Sequence, residues 1–131
     1  MSEQALVDWK RVQEKAGPYP PDAFQFVREG LAHTVRLIHG ESGMSGDLED
    51  ESRHVSGQQL CMGLRDYAVV QFGGLARVVL DRWGIRRTDD FGRIVFGMID
   101  VGLMRKTDED TLDDFRSVYE FDEAFAGPEA I

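Results

Sequence analysis

Cysteine, histidine and proline are scarce in this sequence of 131 residues. It has one cysteine, three histidines and four prolines. A single cysteine excludes a disulfide within the chain, and the charged N-terminal stretch lacks the apolar region of a secretory signal, so we expect a protein of the reducing cytoplasm. No stretch approaches the ~20 consecutive apolar residues of a membrane-spanning helix, so we expect no membrane association.

Motifs of well-known active sites are also missing. The chain contains no G-x-x-x-x-G-K-[ST], G-x-G-x-x-G or G-x-S-x-G. Its histidines and cysteine lack zinc-binding spacings, and the acidic runs 47–51 and 108–114 lack the glycine and the closing glutamate of a calcium loop. We therefore predict no cofactor and no metal. Whether the protein is an enzyme stays uncertain, and the sequence leans against it.

The net charge of -9 is unevenly distributed along the chain. Residues 1–40 are neutral overall, residues 41–52 carry -5, residues 53–106 carry +4 and residues 107–131 carry -8. Eight of the nine basic residues of the third block are arginines. A basic block and an acidic block attract each other, so the pattern predicts pairing within one chain or between two chains. Such pairing is weakened by salt.

Apolar residues recur at helical spacing along most of the chain, which predicts a mainly α fold, a single bundle of about five helices. The expected helices are, in chain order, residues 3–16, a second helix from Pro21 to a cap at Gly40, a long segment that begins at Ser56 and is interrupted at Gly73 and Gly74, and a helix that begins at Thr88. The predicted core residues are Phe24, Val27, Leu31, Val35 and Ile38, then Cys61, Leu64, Ala68, Phe72, Leu75, Ala76, Val79, Leu80 and Trp83, then Phe91, Ile94, Val95, Met98, Ile99 and Val101.

The C-terminal part of the chain predicts a different local structure. Residues 103–106 and 115–121 flank a turn-like acidic segment and predict a short β-hairpin, and residues near 122–125 predict one more helical turn. Helix, turn, helix and hairpin is the order of a winged helix, so the fold is expected to be loosely winged-helix-like. We expect one domain over residues 1–131, with a mobile acidic loop at 40–52 and an acidic C-terminal segment at 107–131.

His54, Cys61 and Asp66 are close together in sequence and include the groups that a thiol enzyme uses. Cys61, however, lies on the apolar stripe of its helix, where a free cysteine is usually a small buried side chain. Ser56 and Gln59 have the spacing of a capping box at the start of that helix. An enzyme that uses His54, Cys61 and Asp66 stays an alternative hypothesis. The position of His54 has no explanation in the helix pattern.

Four arginines cluster around the turn between the long segment and the helix that follows it. These predicted interaction residues are Arg82, Arg86, Arg87 and Arg93. In a winged helix the second of these helices would enter the major groove of DNA. It offers Arg93 and Asp100 and little else that is polar, whereas groove-reading helices use several polar side chains. Because the acidic C-terminal segment would also repel phosphate, a nucleic-acid-binding or regulatory module is an alternative that the sequence disfavours.

Five segments of the chain resemble a known family in the same order. They read YPPDAFQFVREGL, RHVSGQQLCMGLRDYA, QFGGLARVVLDRWGIRRTDDFG, IVFGMIDVGLMRKT and DDFRSVYEFDEAF. The chain is similar, over about residues 19–125, to a family of small conserved uncharacterised proteins known mainly from planctomycete and verrucomicrobial bacteria. The resemblance implies a cytoplasmic bacterial protein with one domain from about Tyr19 onward, and it implies no activity.

These observations favour a non-enzymatic protein-interaction module. The charge division between the arginine-rich block and the acidic end is the feature that suggests it, and both a protein partner and self-association are consistent with it.

Overall fold

The computed structural model describes residues 3–40, 55–102 and 111–125, with the side chains of the first helix described from residue 10 onward. The predicted acidic loop, apart from Gly40, and the first arm of the predicted hairpin at 103–106 lie outside these residues. His54 also lies outside them. Among the described residues, none of the helices combines the length and the apolar character that a membrane crossing requires.

Prolines and glycines set the ends of the first two helices. Helix α1 spans Glu3–Ala16 and helix α2 spans Pro21–His39, as the sequence predicts. Pro21 occupies the first turn of α2, where its missing amide costs no hydrogen bond. Gly40 follows the helix with a backbone φ of 77°, which lies in the left-handed region that favours glycine.

A capping box starts helix α3, which spans Gly57–Phe72. The hydroxyl of Ser56 accepts a hydrogen bond from the backbone N–H of Gln59 at 3.1 Å, and the Gln59 side chain accepts one from the Ser56 N–H at 2.8 Å. The predicted interruption follows, because a 3₁₀ turn at Gly73–Leu75 separates α3 from α4, which spans Ala76–Arg82.

Helix α5 spans Thr88–Asp100 and begins where the sequence predicts. Its first turn is capped by the carboxylate of Asp90, whose Oδ2 accepts hydrogen bonds from the N–H groups of Arg86 at 2.8 Å and Arg87 at 3.2 Å. A carboxylate at a helix N-terminus satisfies amides that have no partner within the helix and complements the helix dipole.

The predicted β-hairpin is wrong for the arm that the structure describes. Residues 111–125 contain a 3₁₀ helix at Leu112–Phe115 and helix α6 at Phe121–Ala124, and no strand. The backbone N–H of Ser117 donates to the Asp89 carboxylate at 3.2 Å, and that of Val118 donates to the Thr88 hydroxyl at 3.0 Å. Because the N–H groups of Ser117 and Val118 donate to side chains of α5, these N–H groups cannot donate to a neighbouring strand. The predicted final helical turn is confirmed.

Helices α2 and α3 run antiparallel and pack closely. Phe26 near the start of α2 lies against Phe72 at the end of α3, with ring centroids 6.1 Å apart, whereas Thr34 near the end of α2 lies against Gly63. A β-carbon at Gly63 would overlap the Thr34 side chain, and one at Gly30 would overlap Leu64. Two glycines therefore permit the short distance between these helices. A similar contact joins α1 to α5.

Buried side chains from α1 to α6 form one core cluster. Most of the predicted core residues belong to it, including Phe24, Val27, Val35, Cys61, Leu64, Ala68, Ala76, Leu80, Phe91, Ile94, Val95 and Met98. Five more are partly buried and pack against it, namely Leu31, Phe72, Trp83, Ile99 and Val101. Val79 is half-buried outside the cluster, and two predicted core residues are exposed, Ile38 by 41% and Leu75 by 64%. Ile38 lies in the last turn of α2, and Leu75 lies in the 3₁₀ turn, where the helical repeat is broken.

Candidate interaction surface

Cys61 is fully buried in α3, as its position on the apolar stripe predicts. Burial, with a smaller contribution from the charge of Asp89, raises the pKa of its thiol to about 12. A thiol acts as a nucleophile through its thiolate, which this environment disfavours. The Cys61 backbone carbonyl accepts a hydrogen bond from the hydroxyl of Tyr119 at 2.8 Å, so the surroundings of this residue are structural.

Asp66 lies on a different side of α3 from Cys61, because five residues of helix correspond to a rotation of about 140°. Its Oδ2 lies 2.6 Å from Nε2 of His33 on α2, and the two side chains are 50% and 17% exposed. The structure therefore brings Asp66 to His33 and not to Cys61. The sequence gives no signal for this pair, since its members are 33 positions apart and belong to different helices.

A polar chain continues along the α2–α3 boundary from this pair. The ring of Tyr67 lies 5.3 Å from that of His33, and its hydroxyl donates to Glu29 Oε1 at 2.9 Å. The pKa of Tyr67 is raised, mainly by desolvation and to a smaller extent by the hydrogen bond to Glu29. Gln25 donates to the other oxygen of the same carboxylate at 2.9 Å. These contacts hold the two helices in register at the surface.

Two of the four predicted interaction arginines form ion pairs with nearby carboxylates of the same chain. Arg93 donates to Asp90 Oδ1 at 2.6 Å, and Arg86 donates to Asp81 Oδ1 at 2.8 Å. The remaining two, Arg82 and Arg87, have exposed side chains and form no ion pair with a residue that the structure describes. The cluster thus presents fewer unpaired charges than its sequence suggests.

Asp90 is the centre of a partly buried polar network. Besides Arg93 and the two amides at the start of α5, it accepts a hydrogen bond from the hydroxyl of Tyr19 at 2.6 Å. Burial, together with the hydrogen bond to Asp90, raises the pKa of Tyr19 to about 12. A buried carboxylate that is satisfied on both oxygens stabilises a fold and has no lone pair directed at a ligand, so we regard this network as structural.

The acidic C-terminal segment contacts the arginine-rich block within the same chain. Arg77 on α4 forms an ion pair with Asp122 on α6, and Arg65 on α3 donates to the backbone carbonyl of Ala124 at 2.9 Å. Aromatic side chains support the same contact, since Phe121 stacks on Tyr119 and lies 5.9 Å from Phe91 between ring centroids. One ion pair between the arginine-rich block and the acidic end is therefore present inside one chain, at Arg77, which lies outside the predicted cluster.

Helix α5 is not arranged as a groove-reading helix. Eight of its thirteen residues are buried, and its exposed Arg93 is held by Asp90. A recognition helix needs a face of free polar side chains that can reach base edges. The described residues supply neither such a face nor a β-hairpin wing.

Five of the eight large apolar side chains that are exposed among the described residues lie on α3, the 3₁₀ turn and α4. Met62, Val69 and Val70 lie on the solvent side of α3, together with Asp66. Successive members of this set are three or four residues apart, which places them on one side of a helix. Leu75 in the 3₁₀ turn and Val78 on α4 are exposed as well. These five residues, which we call the outer face, are exposed by 51%, 43%, 64%, 64% and 55% of their surface in chain order.

The part of the outer face on α3 and the 3₁₀ turn is poor in charge, whereas Arg77 directly precedes Val78 on α4. Between residues 57 and 76 the only charged residues are Arg65 and Asp66, and both have partners within the chain. This contrasts with a charged fraction of 30% over the whole chain. Sequence reasoning missed the outer face because the segment is apolar on several sides, and a helical repeat alone does not indicate which side the protein covers. The available signal was the excess of apolar residues over what one buried face can hold.

The apolar end of α2 lies beside the outer face. Because α2 and α3 are antiparallel, Leu37, four residues after His33, lies on the same side as Met62, four residues before Asp66. Leu37 is 58% exposed. The His33–Asp66 pair thus lies between apolar side chains at the edge of the outer face.

One open cleft of about 290 Å³ lies elsewhere, between the start of α5 and the C-terminal segment. Its lining residues are Asp89, Arg93, Leu112, Asp113 and Arg116. The charges of this lining balance, and Asp89 and Arg93 already hold hydrogen bonds. No three histidine, cysteine or acidic side chains of the described residues converge into a group that could hold a metal ion.

Comparison with protein-family models, curated proteins and solved structures finds no match for this chain. The resemblance to a family of small bacterial proteins therefore stays a prediction.

Proposed function

We propose that the protein is a non-enzymatic protein-interaction module and that the outer face is its binding surface. The observation that carries this proposal is the exposure of five large apolar side chains along α3, the 3₁₀ turn and α4, of which the α3 part is poor in charge. Burial of apolar surface on binding stabilises a complex by ~25 cal/mol for each Å² that is removed from water.

The composition of the outer face supports this role. Cores of protein interfaces are depleted in charged residues and enriched in apolar and sulfur-containing side chains such as methionine. Exposed apolar residues that occur singly are ordinary on protein surfaces, whereas contiguous ones mark interaction sites. The hydrogen bond between Asp66 and His33 supports the same view, because it satisfies the carboxylate of α3 that an apolar partner would cover.

The state of the enzyme candidates supports a non-enzymatic role. Cys61 is buried with a raised pKa, and Asp66 is engaged with His33. We also propose a cytoplasmic location, which the single cysteine of the chain supports.

The proposal is tested by comparing matched surface variants in a capture experiment. The double variant Val70→Lys/Val78→Lys places two charges on the outer face, and Leu112→Lys places one at an exposed apolar residue (53% exposed) on the C-terminal 3₁₀ helix. Immobilised wild type and Leu112→Lys should retain the same proteins, including further copies of the chain, from cells that express the protein naturally. The double variant should lose them.

Exposed substitutions of this kind usually change the free energy of unfolding by less than ~0.5 kcal/mol, so unfolding curves will show that all three proteins are folded. If the double variant retains the same proteins as the wild type, the outer face is not the binding surface and the proposal is wrong.

A further inference from the structure

We infer that the groove between α3 and α5 is a peptide-binding site, which the C-terminal residues of the same chain occupy. The ligand that fits it is an acidic peptide with two phenylalanines six residues apart. Residues 111–125, which we call the docked segment, carry this pattern at Phe115 and Phe121. The site is separate from the outer face, so the inference does not depend on the proposed function.

The docked segment runs along one face of α3. Three residues of this helix, each one turn after the last, contact it in chain order: Gly57, Cys61 and Arg65. A β-carbon at the first would overlap Asp114. The backbone carbonyl of the second accepts a hydrogen bond from the Tyr119 hydroxyl at 2.8 Å, and the side chain of the third donates to the Ala124 carbonyl at 2.9 Å.

Helix α5 forms the opposite wall of the groove. The side chains of Thr88 and Asp89, at its start, accept hydrogen bonds from two backbone N–H groups of the docked segment. Further along, a β-carbon at Gly92 would overlap the Phe115 side chain, and one at Gly57 on α3 would lie 3.1 Å from the same ring. Two glycines, one on each wall, therefore make room for one phenylalanine.

The second phenylalanine of the docked segment occupies an apolar site of its own. Phe121 is 3% exposed, as is Phe115, and its ring centroid lies 5.9 Å from that of Phe91 on α5. Asp122, the next residue, forms an ion pair with Arg77 on α4. The contacts thus specify two buried phenylalanines six residues apart and an acidic residue directly after the second.

The docked segment is held in the way that a bound peptide is held. Its helices are two short ones of four residues each. Side chains of the groove form hydrogen bonds with its backbone, and its phenylalanines enter apolar sites. Peptide-binding domains use the same two kinds of contact, since main-chain hydrogen bonds provide affinity and side-chain pockets provide specificity.

The walls of the groove are also supported by other helices. Gly30 and Gly63 permit the close packing of α3 against α2. Gly97 permits that of α5 against α1, because a β-carbon there would overlap Ala16. None of these contacts involves the docked segment, so we expect the bundle of α1 to α5 to stay folded when the segment leaves the groove.

The charges around the groove favour an acidic ligand. The docked segment contains five acidic residues and one basic residue. Arg65 on α3 and Arg77 on α4 both contact it. A basic peptide would place its own cations beside these two arginines, which opposes binding.

A labelled peptide with the sequence of residues 111–125 tests the inference on the full chain. In the wild type this peptide competes with an identical segment that is tethered to the groove. A short tether corresponds to an effective concentration on the order of 1 mM, so the apparent dissociation constant of the peptide should be about 1 mM. Fluorescence anisotropy of the peptide measures this value.

Phe121→Ala weakens the tethered segment and leaves the walls of the groove unchanged. Truncation of a buried phenylalanine lowers an equilibrium constant by ~100-fold or more. The variant should therefore bind the labelled peptide at least ~10-fold more tightly than the wild type does. Phe121→Leu is a milder change that should give an intermediate value, and it carries the test if unfolding curves show that Phe121→Ala does not fold.

The matched controls are Phe24→Ala and Phe24→Leu. Phe24 is also a buried phenylalanine (7% exposed), but it lies on α2, which does not line the groove. These variants should bind the peptide as weakly as the wild type does, and a peptide with alanine at both phenylalanine positions should bind to none of the proteins. If the variants at Phe121 bind no better than the wild type, or those at Phe24 bind equally well, the inference is wrong.

The reaction of Cys61 with a disulfide reagent shows whether the peptide lies in the groove. The docked segment covers this turn of α3, where the Tyr119 hydroxyl is bonded to the Cys61 carbonyl. In the folded variant at Phe121 the thiol should react at least ~10-fold faster than in the wild type, and saturating peptide should slow the reaction again. If the peptide binds without slowing it, the peptide lies elsewhere and the inference fails.

Discussion

The reactivity of Cys61 provides a quantitative test of the buried core around α3. This residue is the only thiol of the chain, so reaction with a thiol reagent reports one site without interference. Its side chain is 0% exposed, and the hydroxyl of Tyr119 is hydrogen bonded to its backbone carbonyl. We expect the thiol of the folded protein to be almost inert at pH 8.

The expected protection follows from the pKa. Burial raises the pKa of this thiol from an ordinary value of 9.0 to about 12. A rise of three pKa units lowers the thiolate population at pH 8 by about 1000-fold, and the thiolate is the reactive species. Because the reagent must also reach a side chain with no exposed surface, the folded protein should react at least ~1000-fold more slowly than the unfolded chain.

The assay compares the rate of reaction with a disulfide reagent at pH 8 in buffer and in concentrated urea. At intermediate urea concentrations the rate should follow the population of the unfolded state. A rate in buffer within tenfold of the unfolded rate would refute the buried position of Cys61. It would also revive the hypothesis of an enzyme that uses this thiol.

Three further predictions concern stability. Gly63→Ala should lower the free energy of unfolding in urea by about 1–3 kcal/mol, because the added methyl group overlaps Thr34; adding Thr34→Ala should relieve part of this loss, and purely additive effects would contradict the close packing. Tyr119→Phe should cost about 1 kcal/mol by removing its hydrogen bond to the Cys61 carbonyl, and an unchanged urea midpoint would argue against that bond. The native pKa values of Cys61, Tyr19 and Tyr119 are all raised, mainly by burial, so their contribution to stability is complete below pH 9 and is lost as the pH rises towards 12; a thermal unfolding midpoint that stays constant from pH 8 to 11 would contradict it.

The helices of the described residues could be predicted because their signals are local. The prolines before α2, the Ser56–Gln59 capping box and the acidic first turn of α5 each act over a few residues, through backbone hydrogen bonds that the adjacent side chains satisfy. The burial of Cys61 follows from the same kind of local pattern, because its neighbours at helical spacing are apolar.

The C-terminal segment could not be predicted in this way. Residues 115–121 have a β-like composition, and composition is a weak guide when another element can take the backbone amides. Thr88 and Asp89, about 30 residues away in sequence, accept the hydrogen bonds of Val118 and Ser117. Only the docking of this segment on α5 decided that it is not a strand.

Local sequence patterns were enough to predict where most of the described helices begin and end, and that Cys61 belongs to the core. The sequence also determined the division of charge between the middle and the end of the chain. The tertiary structure alone decided that Asp66 pairs with His33, that Arg93 is held by Asp90, and that the outer face remains exposed. The physical reason is that helix signals act over one turn of backbone, whereas ion pairing and exposure depend on which elements pack against one another.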